Sequence, residues 1–259
     1  DTFAQFRQHY SGGFVRLANG VVFPSGYQSH SATETCPGHS TLLTGVRPNR
    51  NGIVANSWFE PDGPRGDKAI YCAEDERDPA SSAKNPVVSA YHLKVPTLGD
   101  LMKSADPATR NVAVSAKDRA VMMMGGHKID AAWWWKGGAF VSHKDRAATP
   151  AVLAVNAKAA ATIKAGAPAM PIPAWCKAAD NAVAVRGTTL GTGRFLLEPG
   201  KEGGFRVSPR MDSATVDLAI GLTDEMKLGQ GSAPDILSVS LSATDYVGHA
   251  TGVAGAEMC

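Results

Sequence analysis

The sequence predicts an α/β protein with a mostly parallel central sheet flanked by helices, and three observations lead to this class. Segments with helical patterns and segments with strand patterns alternate along the chain, as they do in proteins built on a parallel sheet. Two apolar strand patterns run directly into polar residues, and in such sheets ligand sites lie beyond the carboxyl ends of the strands. The length of 259 residues suffices for one large α/β domain, or for a core domain with one insertion.

The bulk composition is that of an ordinary globular protein, with 44% hydrophobic and 19% charged residues. The 26 basic and 24 acidic residues are interspersed and leave a net charge of +2, so we expect no nucleic-acid partner. No stretch approaches 18 uninterrupted apolar residues, so we expect no membrane span.

Four cysteines lie far apart, at Cys36, Cys72, Cys176 and Cys259. The absence of a C-x-x-C pair argues against a zinc knuckle or a redox motif. An oxidising compartment could pair some of the cysteines, and their spacing does not say which. The sequence begins at Asp1 with no methionine and no signal-like segment, so we expect that a leader has been removed or that the sequence starts inside a longer protein.

The first elements are predicted as a helix, a short strand and a second helix. The phenylalanines within residues 1–9 have helical spacing, and VVF at 21–23 is typical of a short strand. Pro37 suits a first helical position because it has no N–H to leave unsatisfied, and Gly45 suits the end of that helix.

The middle of the chain is predicted as a loop followed by alternating elements. Residues 60–95 are rich in Pro, Gly, Asp and Lys and lack a sustained period, which indicates a long surface loop. Thr97 is a typical helix cap. The predicted elements are an extended segment or strand over 52–59, a helix over 97–105, a buried strand over 110–117 and a helix over 119–124.

The second half of the chain is predicted to contain a hairpin, two helices and a final strand. Trp133–Trp135 alternate faces in the first hairpin strand, so we expect mixed core and surface packing for them rather than a wall of the site. Residues 167–210 carry many prolines and glycines and are expected to form a cap or an insertion. The predicted elements are strands over 131–135 and 139–143, a helix over 150–166, a helix over 212–229 with Asp212 as its N-cap, and a strand over 235–249.

The stretch TETCPGHSTLLTG places Thr35 and Cys36 near the predicted start of a helix. Backbone N–H groups and the helix dipole attract anions there, and the same field favours a threonine alkoxide, the activated form of a weak nucleophile. The alternative is a threonine that only caps the helix, beside a free and buried Cys36.

Two further groups of polar residues follow predicted buried strands. Lys117 and Arg119 combine a point charge with a planar fork, which suits a dianionic phosphoryl group, although they could also be solvated loop charges. Asp245 and His249 are suitable ligands for Zn²⁺, although Asp245 could instead cap a turn and bind the histidine. Asn56, near a strand end, could donate an amide N–H to an oxyanion, a role that many asparagines fill structurally.

Taken together and in order, these segments resemble the alkaline phosphatase superfamily, and in particular the periplasmic, phosphate-irrepressible alkaline phosphatases of bacteria. Those enzymes share a core with the nucleotide pyrophosphatase/phosphodiesterases. TETCPGHSTLLTGVRPNRNGIVAN is similar to the nucleophile segment of the family, SAKDRAVMMMGGH to its lysine–arginine segment, and ATDYVGHATG to a metal-ligand motif. The resemblance implies one alkaline phosphatase-like core over residues 1–259, with loop or cap insertions.

The resemblance also implies an activity, namely that of a zinc-dependent phosphomonoester hydrolase of broad specificity that acts through a phosphothreonine intermediate. Diesterase relatives generally lack the lysine–arginine pair, so its presence favours monoesters. The implied substrates are small phosphate esters and the implied location is the bacterial periplasm, while the oligomeric state is not indicated. The implied residues are Thr35 as nucleophile, Asn56, Lys117 and Arg119 as phosphate-binding groups, and Asp245, His249 and Thr35 as ligands of two zinc ions.

Other ligands that the resemblance implies are not in this sequence. Asp1 resembles the second aspartate of the V-D-G-x-R-x-D segment of the family, which puts one metal ligand a few residues upstream. An Asp-His pair and a further histidine are expected after Cys259. We therefore expect the chain to be part of a longer enzyme, and a degenerate, non-catalytic relative is the alternative.

Two other functions remain open at this stage, and two more are disfavoured. One is a phosphodiesterase or phosphonate hydrolase of the same superfamily, which the ratio of rates on monoesters and diesters would distinguish. Another is a metal-free module that binds phosphoryl groups without turnover. A sulfatase is disfavoured because Cys36 lacks the C-x-P-S-R context of a formylglycine. A purely structural protein would leave the polar residues at successive strand ends unexplained.

Overall fold

The computed structural model describes residues 2–21, 23, 25–28, 30–63, 65–66, 68–82, 84–144 and 146–259. The chain divides into two compact units, Asp1–Ser31 and Ala32–Cys259. Within the described residues, no helix is both long and apolar enough to cross a membrane.

The smaller unit contains short helices and no described strand. Helix α1 (Thr2–Phe6) continues into a 3₁₀ turn and is followed by α2 (Gly13–Ala18), so the helical prediction for residues 1–9 is confirmed. The rings of Phe3, Tyr10 and Phe14 pack against one another, with centroids 4.9–6.1 Å apart. The strand predicted at 21–23 is wrong for Val21 and Phe23, which are exposed and outside any strand, and Val22 lies outside the described residues, as does Asp1.

The larger unit is built on a four-stranded sheet, and its α/β class is as predicted. The strands are β1 (Ser57–Phe59), β2 (Ala69–Tyr71), β3 (Asn111–Ser115), β4 (Ala131–Lys136), β5 (Ala139–Val141), β6 (Val183–Val185), β7 (Thr188–Leu190) and β8 (Ile236–Ser240). In the sheet, strand β3 is parallel to both of its neighbours, β4 and β8, while β5 is antiparallel to β4 at one edge. Two short hairpins, β1–β2 and β6–β7, lie outside this sheet.

Helices cover both faces of the four-stranded sheet. Val112 and Val114 of β3 belong to a core cluster with apolar residues of α7 and α9, whereas Ala113 belongs to a second cluster with residues of α3 and α6. The helices are α3 (Thr35–Thr44), α4 (Pro48–Asn51), α5 (Leu98–Ala105), α6 (Asp118–Gly125), α7 (Pro150–Ala165), α8 (Glu202–Arg206), α9 (Pro209–Met226) and α10 (Ala243–Thr251).

This two-sided cover corrects the expectation for the three tryptophans. Their side chains alternate as predicted, because Trp133 and Trp135 enter one cluster and Trp134 enters the other. All three are buried, so the predicted surface packing is wrong. A sheet with helices on both faces has two core faces, and its strands then carry continuous apolar runs.

Several predicted elements are confirmed. Thr97 and Asp100 form a complete capping box at the start of α5, and the hairpin β4–β5 pairs as expected. Helix α3 ends at Gly45, which has a φ of 67° and so occupies the left-handed region that glycine tolerates best. The strand over 110–117, the helix over 119–124 and the helix over 150–166 correspond to β3, α6 and α7.

Three predictions about the elements are wrong. Residues 60–95 are not simply a surface loop, since β2 pairs with β1 and the segment contains the buried Cys72 and Glu74. Helix α9 begins at Pro209 and has Ser208 as its N-cap, so Asp212 does not cap it. The strand predicted over 235–249 ends at Ser240, and its second part is helix α10.

The four cysteines form two disulfides, Cys36–Cys72 and Cys176–Cys259. The first joins helix α3 to the residue that follows β2, and the second joins the 3₁₀ helix Ala174–Ala179 to the last residue of the chain. Cys36 is therefore not the free thiol considered for it. The role of residues 167–210 as a cap or insertion stays a prediction.

Candidate active site

The carboxyl ends of β3 and β8 bring polar residues together at one edge of the sheet. The two strands are parallel neighbours, with Ser115 in register with Ser240. The hydroxyl oxygens of Ser115 and Ser242 lie 3.2 Å apart, and Ser115 also accepts a hydrogen bond from the backbone N–H of Lys117 at 3.2 Å. The residues that follow these two strands therefore begin side by side at the carboxyl ends of the strands, which is where open α/β sheets bind ligands.

Thr35 is the first residue of helix α3, and it is half-buried. The N-cap is Glu34, whose side chain makes no capping hydrogen bond, so the alternative in which Thr35 only caps the helix is wrong. The positive end of the helix dipole lies beside the Thr35 hydroxyl, although within this turn Pro37 has no N–H and the N–H of Cys36 is already bonded to Asn56.

Asn56 lies against the same helix start. Its side-chain oxygen Oδ1 accepts a hydrogen bond from the backbone N–H of Cys36 at 2.8 Å. Its backbone N–H donates to Oε2 of Glu34 at 2.6 Å, and its carbonyl oxygen accepts from the N–H of Cys72 at 3.0 Å. Because Oδ1 is engaged, the Asn56 amide presents its N–H₂ group, the donor that an oxyanion requires.

His39 links the helix start to the end of β8. Its Nδ1 lies 2.8 Å from the carbonyl oxygen of Thr35, and its Nε2 lies 2.9 Å from Oγ of Ser240. A carbonyl can only accept, so Nδ1 carries the proton and the serine hydroxyl donates to Nε2 of the neutral ring. Burial lowers the pKa of His39, and the nearby charges of Lys117 and Arg119 lower it further. The histidine of the PGH motif was given no role by the sequence analysis.

Lys117 is a buried cation, with only 8% of its surface exposed. It is the N-cap residue of α6, and its ammonium group forms an ion pair with Oδ2 of Asp245 and lies 4.9 Å from the centroid of the Tyr246 ring. The alternative that treats Lys117 as a solvated loop charge is therefore wrong.

Arg119 lies in the first turn of the same helix. Nη1 of its side chain is 3.5 Å from the hydroxyl of Tyr71, and that hydroxyl is 2.6 Å from Oδ1 of Asp118. Nε of Arg119 is buried and has no hydrogen-bond partner among the described residues. A buried guanidinium N–H without a partner is costly, which favours an anionic ligand at this position.

Asp245 and His249 lie one turn apart on α10, which corrects the strand predicted there. Oδ1 of Asp245 and Nε2 of His249 are 3.6 Å apart, and the side chains are 49% and 81% exposed. Partial burial raises the pKa of Asp245, but its ion pair with Lys117 outweighs this, so the pKa lies below its ordinary value.

These two residues fit half of a zinc site. Bonds of about 2.1 Å at tetrahedral angles set two ligand atoms about 3.4 Å apart, close to the distance between Asp245 and His249. A zinc site requires more ligands, and the described residues contain no cluster of three or more His, Cys, Asp or Glu that could hold a metal ion.

Fold and site together define an α/β protein with a threonine and two cations at the carboxyl edge of its parallel strands. A family model described as type I phosphodiesterase / nucleotide pyrophosphatase matches residues 1–258, and the chain belongs to this family.

Among curated proteins, the chain is 51% identical to the alkaline phosphatase PhoK of Sphingomonas sp. and 47% identical to the alkaline phosphatase PhoD of Zymomonas mobilis. Both matches cover 100% of this chain but only 47% and 45% of the relatives. The chain thus spans about half the length of the curated relatives that it matches.

Two solved structures of the alkaline phosphatase PafA are also similar. The wild-type crystal structure superposes with a TM-score of 0.83 at 28% identity, covering 98% of this chain and 52% of that one. The second is a variant of PafA with a threonine changed to serine and an asparagine, a lysine and an arginine changed to alanine; it has a TM-score of 0.83 at 25% identity and covers 98% and 53% of the two chains.

Proposed function

We propose that this chain carries the nucleophile and phosphate-binding part of a zinc-dependent phosphomonoester hydrolase of broad specificity. The observation that carries the proposal is that the start of helix α3, which bears Thr35, lies at the same end of the sheet as the buried Lys117 and the half-buried Arg119. The closely related chains named alkaline phosphatase support it. In the PafA variant, the intervals between threonine and asparagine and between lysine and arginine equal those between Thr35 and Asn56 and between Lys117 and Arg119.

Each of these side chains has a distinct task in the proposed reaction. Lys117, Arg119 and the Asn56 amide bind the non-bridging oxygens, on which the transition state carries its charge. The Thr35 hydroxyl loses its proton to solvent and its oxygen attacks phosphorus in line, forming an O–P bond while the bond to the leaving oxygen breaks; that oxygen takes up a proton from solvent and departs as the alcohol. Water then attacks the phosphothreonine, releases inorganic phosphate and restores the hydroxyl.

Three residues of this chain would contribute ligands to two zinc ions. Asp245 and His249 would hold one zinc ion and the Thr35 hydroxyl would bind the other, together with ligands from the part of the relatives' length that this chain does not span. Two bound zinc ions would supply Lewis-acid stabilisation of the attacking and leaving oxygens. Oδ1 of Asp245 faces His249 and Oδ2 faces Lys117, so one carboxylate serves both the metal and the phosphate side.

The proposed substrates are small phosphate esters, since the proposed roles of Asn56, Lys117 and Arg119 are to bind the phosphoryl group rather than a particular alcohol. The proposed location is the bacterial periplasm. Two disulfides support export, because disulfides persist in oxidising compartments. A phosphodiesterase is the second candidate function, since the matching family model carries that description.

The test uses the complete gene product loaded with zinc and an aryl phosphate as substrate. Thr35→Ala should lower turnover by roughly a thousandfold or more while zinc stays bound. Thr33→Ala, two residues upstream and exposed, is the matched control and should behave as the wild type. Mass spectrometry of acid-quenched wild type should find phosphate on the peptide that contains Thr35. Unchanged turnover in Thr35→Ala would move the nucleophile elsewhere, and an inactive wild type would favour the binding module.

A further inference from the structure

Tyr71 lies against the phosphate site without any role in the proposed reaction. It is the last residue of β2, which among the described strands pairs only with β1 and is not part of the central sheet. Its ring packs against the core cluster that includes α3 and α6 residues, and its hydroxyl reaches the first turn of α6. Through this hydroxyl Tyr71 contacts Asp118 and Arg119, which lie 47 and 48 positions further along the chain.

The direction of these hydrogen bonds follows from the groups involved. The Asp118 carboxylate can only accept, so the Tyr71 hydroxyl donates to it at 2.6 Å. The oxygen lone pairs of Tyr71 are then available to Nη1 of Arg119, 3.5 Å away. Burial raises the pKa of Tyr71 and the charge of Asp118 raises it further, so the hydroxyl keeps its proton at neutral pH.

Asp118 contacts both Tyr71 and Arg119. The same Oδ1 atom that accepts from Tyr71 also accepts from the backbone N–H of Arg119 at 2.7 Å. The contact with Tyr71 is the one described hydrogen bond of the Arg119 side chain, and Nε has no partner among the described residues. Among the described residues the guanidinium is therefore contacted from the Tyr71 side, and Nε is left as a donor for a ligand.

The residue after Tyr71 contacts the other wall of the site. Cys72 is bonded to Cys36, next to Thr35, and its N–H donates to the carbonyl of Asn56. Tyr71 thus contacts the Arg119 guanidinium, and the next residue, Cys72, contacts helix α3 and Asn56. A shift of the end of β2 would change the distance between these groups, and binding groups displaced by about 1 Å can cost two orders of magnitude in rate.

We propose that Tyr71 is a positioning residue that holds the Arg119 guanidinium at the distance from Thr35 that a phosphoryl dianion requires. This role rests on the function proposed above for Arg119. Tyr71 acts through Arg119 and touches no substrate itself. Its removal should therefore matter most for monoesters, whose terminal phosphoryl group offers the most charge to a guanidinium.

The experiment is a double-mutant cycle in the complete gene product, with Tyr71→Phe, Arg119→Ala and both together. Phenylalanine retains the ring and its packing and removes only the hydroxyl. We expect Tyr71→Phe to lower kcat/KM for an aryl phosphate monoester roughly tenfold and to change that for the matching diester less than about twofold. In the Arg119→Ala background the same change should have no further effect. Tyr91→Phe is the matched control, because Tyr91 stacks on Arg77 instead.

Equal losses on both esters, or a full loss in the Arg119→Ala background, would mean that Tyr71 only supports the fold. Asp118→Asn is a second variant; it removes the charge that orients the hydroxyl and should give a smaller loss of the same selectivity. Calorimetry of inorganic phosphate binding to the wild type, Tyr71→Phe, Arg119→Ala and the double variant gives the same coupling between the two residues from binding affinities, without turnover. An inactive wild type would thus defeat the proposed function, while the phosphate cycle would still decide the role of Tyr71.

Discussion

The two halves of the candidate active site are held in different ways. The proposed phosphate half is fixed by the chain itself, since Lys117 is buried and Asn56 makes hydrogen bonds through Oδ1, N–H and C=O. The proposed metal half consists of Asp245 and His249 on one short helix, and both are exposed. Groups that must meet a passing substrate benefit from being preorganised, whereas metal ligands can be ordered by the ion they bind.

The largest effect should come from removing the preorganised cations. Lys117→Ala combined with Arg119→Ala should lower kcat/KM for a phosphate monoester by roughly a thousandfold, because charge stabilisation in the transition state is lost. The loss on a diester with the same leaving group should be far smaller. Steady-state kinetics on the two esters measures the ratio, and equal losses would sink the idea that this pair sets monoester preference.

A second test compares the disulfide beside the phosphate half with the disulfide outside it. Cys36→Ala with Cys72→Ala and Cys176→Ala with Cys259→Ala each remove one bridge, and each should lower the free energy of unfolding by about 4 kcal/mol. Only the first pair should also reduce kcat/KM, by roughly tenfold on both esters, because Thr35 and Asn56 lose their common anchor.

Denaturant titration gives the stabilities, and kinetics at a temperature where both variants are folded gives the activities. Equal activity in the two variants would show that the Cys36–Cys72 bridge stabilises the fold without positioning the site.

The smallest effect concerns the helix that carries the metal half. Oδ1 of Asp212 accepts the backbone N–H groups of Ser242 and Ala243 at 2.8 and 2.9 Å, at the start of α10. Asp212→Ala should lower the free energy of unfolding by about 1 kcal/mol and weaken zinc binding severalfold, with equal effects on monoesters and diesters. Asp212→Asn keeps the accepting oxygen and is the matched control.

The same pair of variants gives a pH dependence with a defined sign. Burial raises the pKa of Asp212, and the two N–H groups only partly oppose it. The folded state therefore binds this proton more tightly, so the stability it contributes is present below the unfolded pKa of about 3.9 and is lost as pH rises through the folded pKa. Asp212→Asn should gain stability relative to wild type between acid and neutral pH in denaturant titrations. A constant difference would contradict the shift.

Much of the fold could be predicted because its signals are local. Strand β3 and helices α5, α6 and α7 are marked by apolar periods, by Thr97 and by Gly166 within their own segments. The end of β8 could not be predicted in this way, since the start of α10 is bonded by Asp212, which lies 30 residues away. Strand β2 likewise needs its partner β1 and the distant Cys36.

The candidate site shows the same difference between local sequence signals and long-range contacts. The sequence contains the residues proposed for the chemistry, and their roles stay predictions. The residues that hold them were missed, because Tyr71, His39 and Glu34 act through contacts with residues far along the chain. The only sequence signals were the histidine of the PGH motif and a tyrosine beside a cysteine in a polar segment.

The Cys36–Cys72 bridge also has a consequence for the unfolded protein. It closes a covalent ring that contains Asn56 and begins at the residue after Thr35, so it limits the distance between Thr35, the proposed nucleophile, and the Asn56 amide even when every other contact is lost. Lys117 and Arg119 lie outside the ring, so the bridge does not limit their distance from Thr35 in the unfolded chain. On refolding in its oxidised form, the chain has a much smaller volume to search before Asn56 meets the start of α3 again. Lys117 and Arg119 must still be brought to Thr35 from a distant part of the chain each time the protein folds.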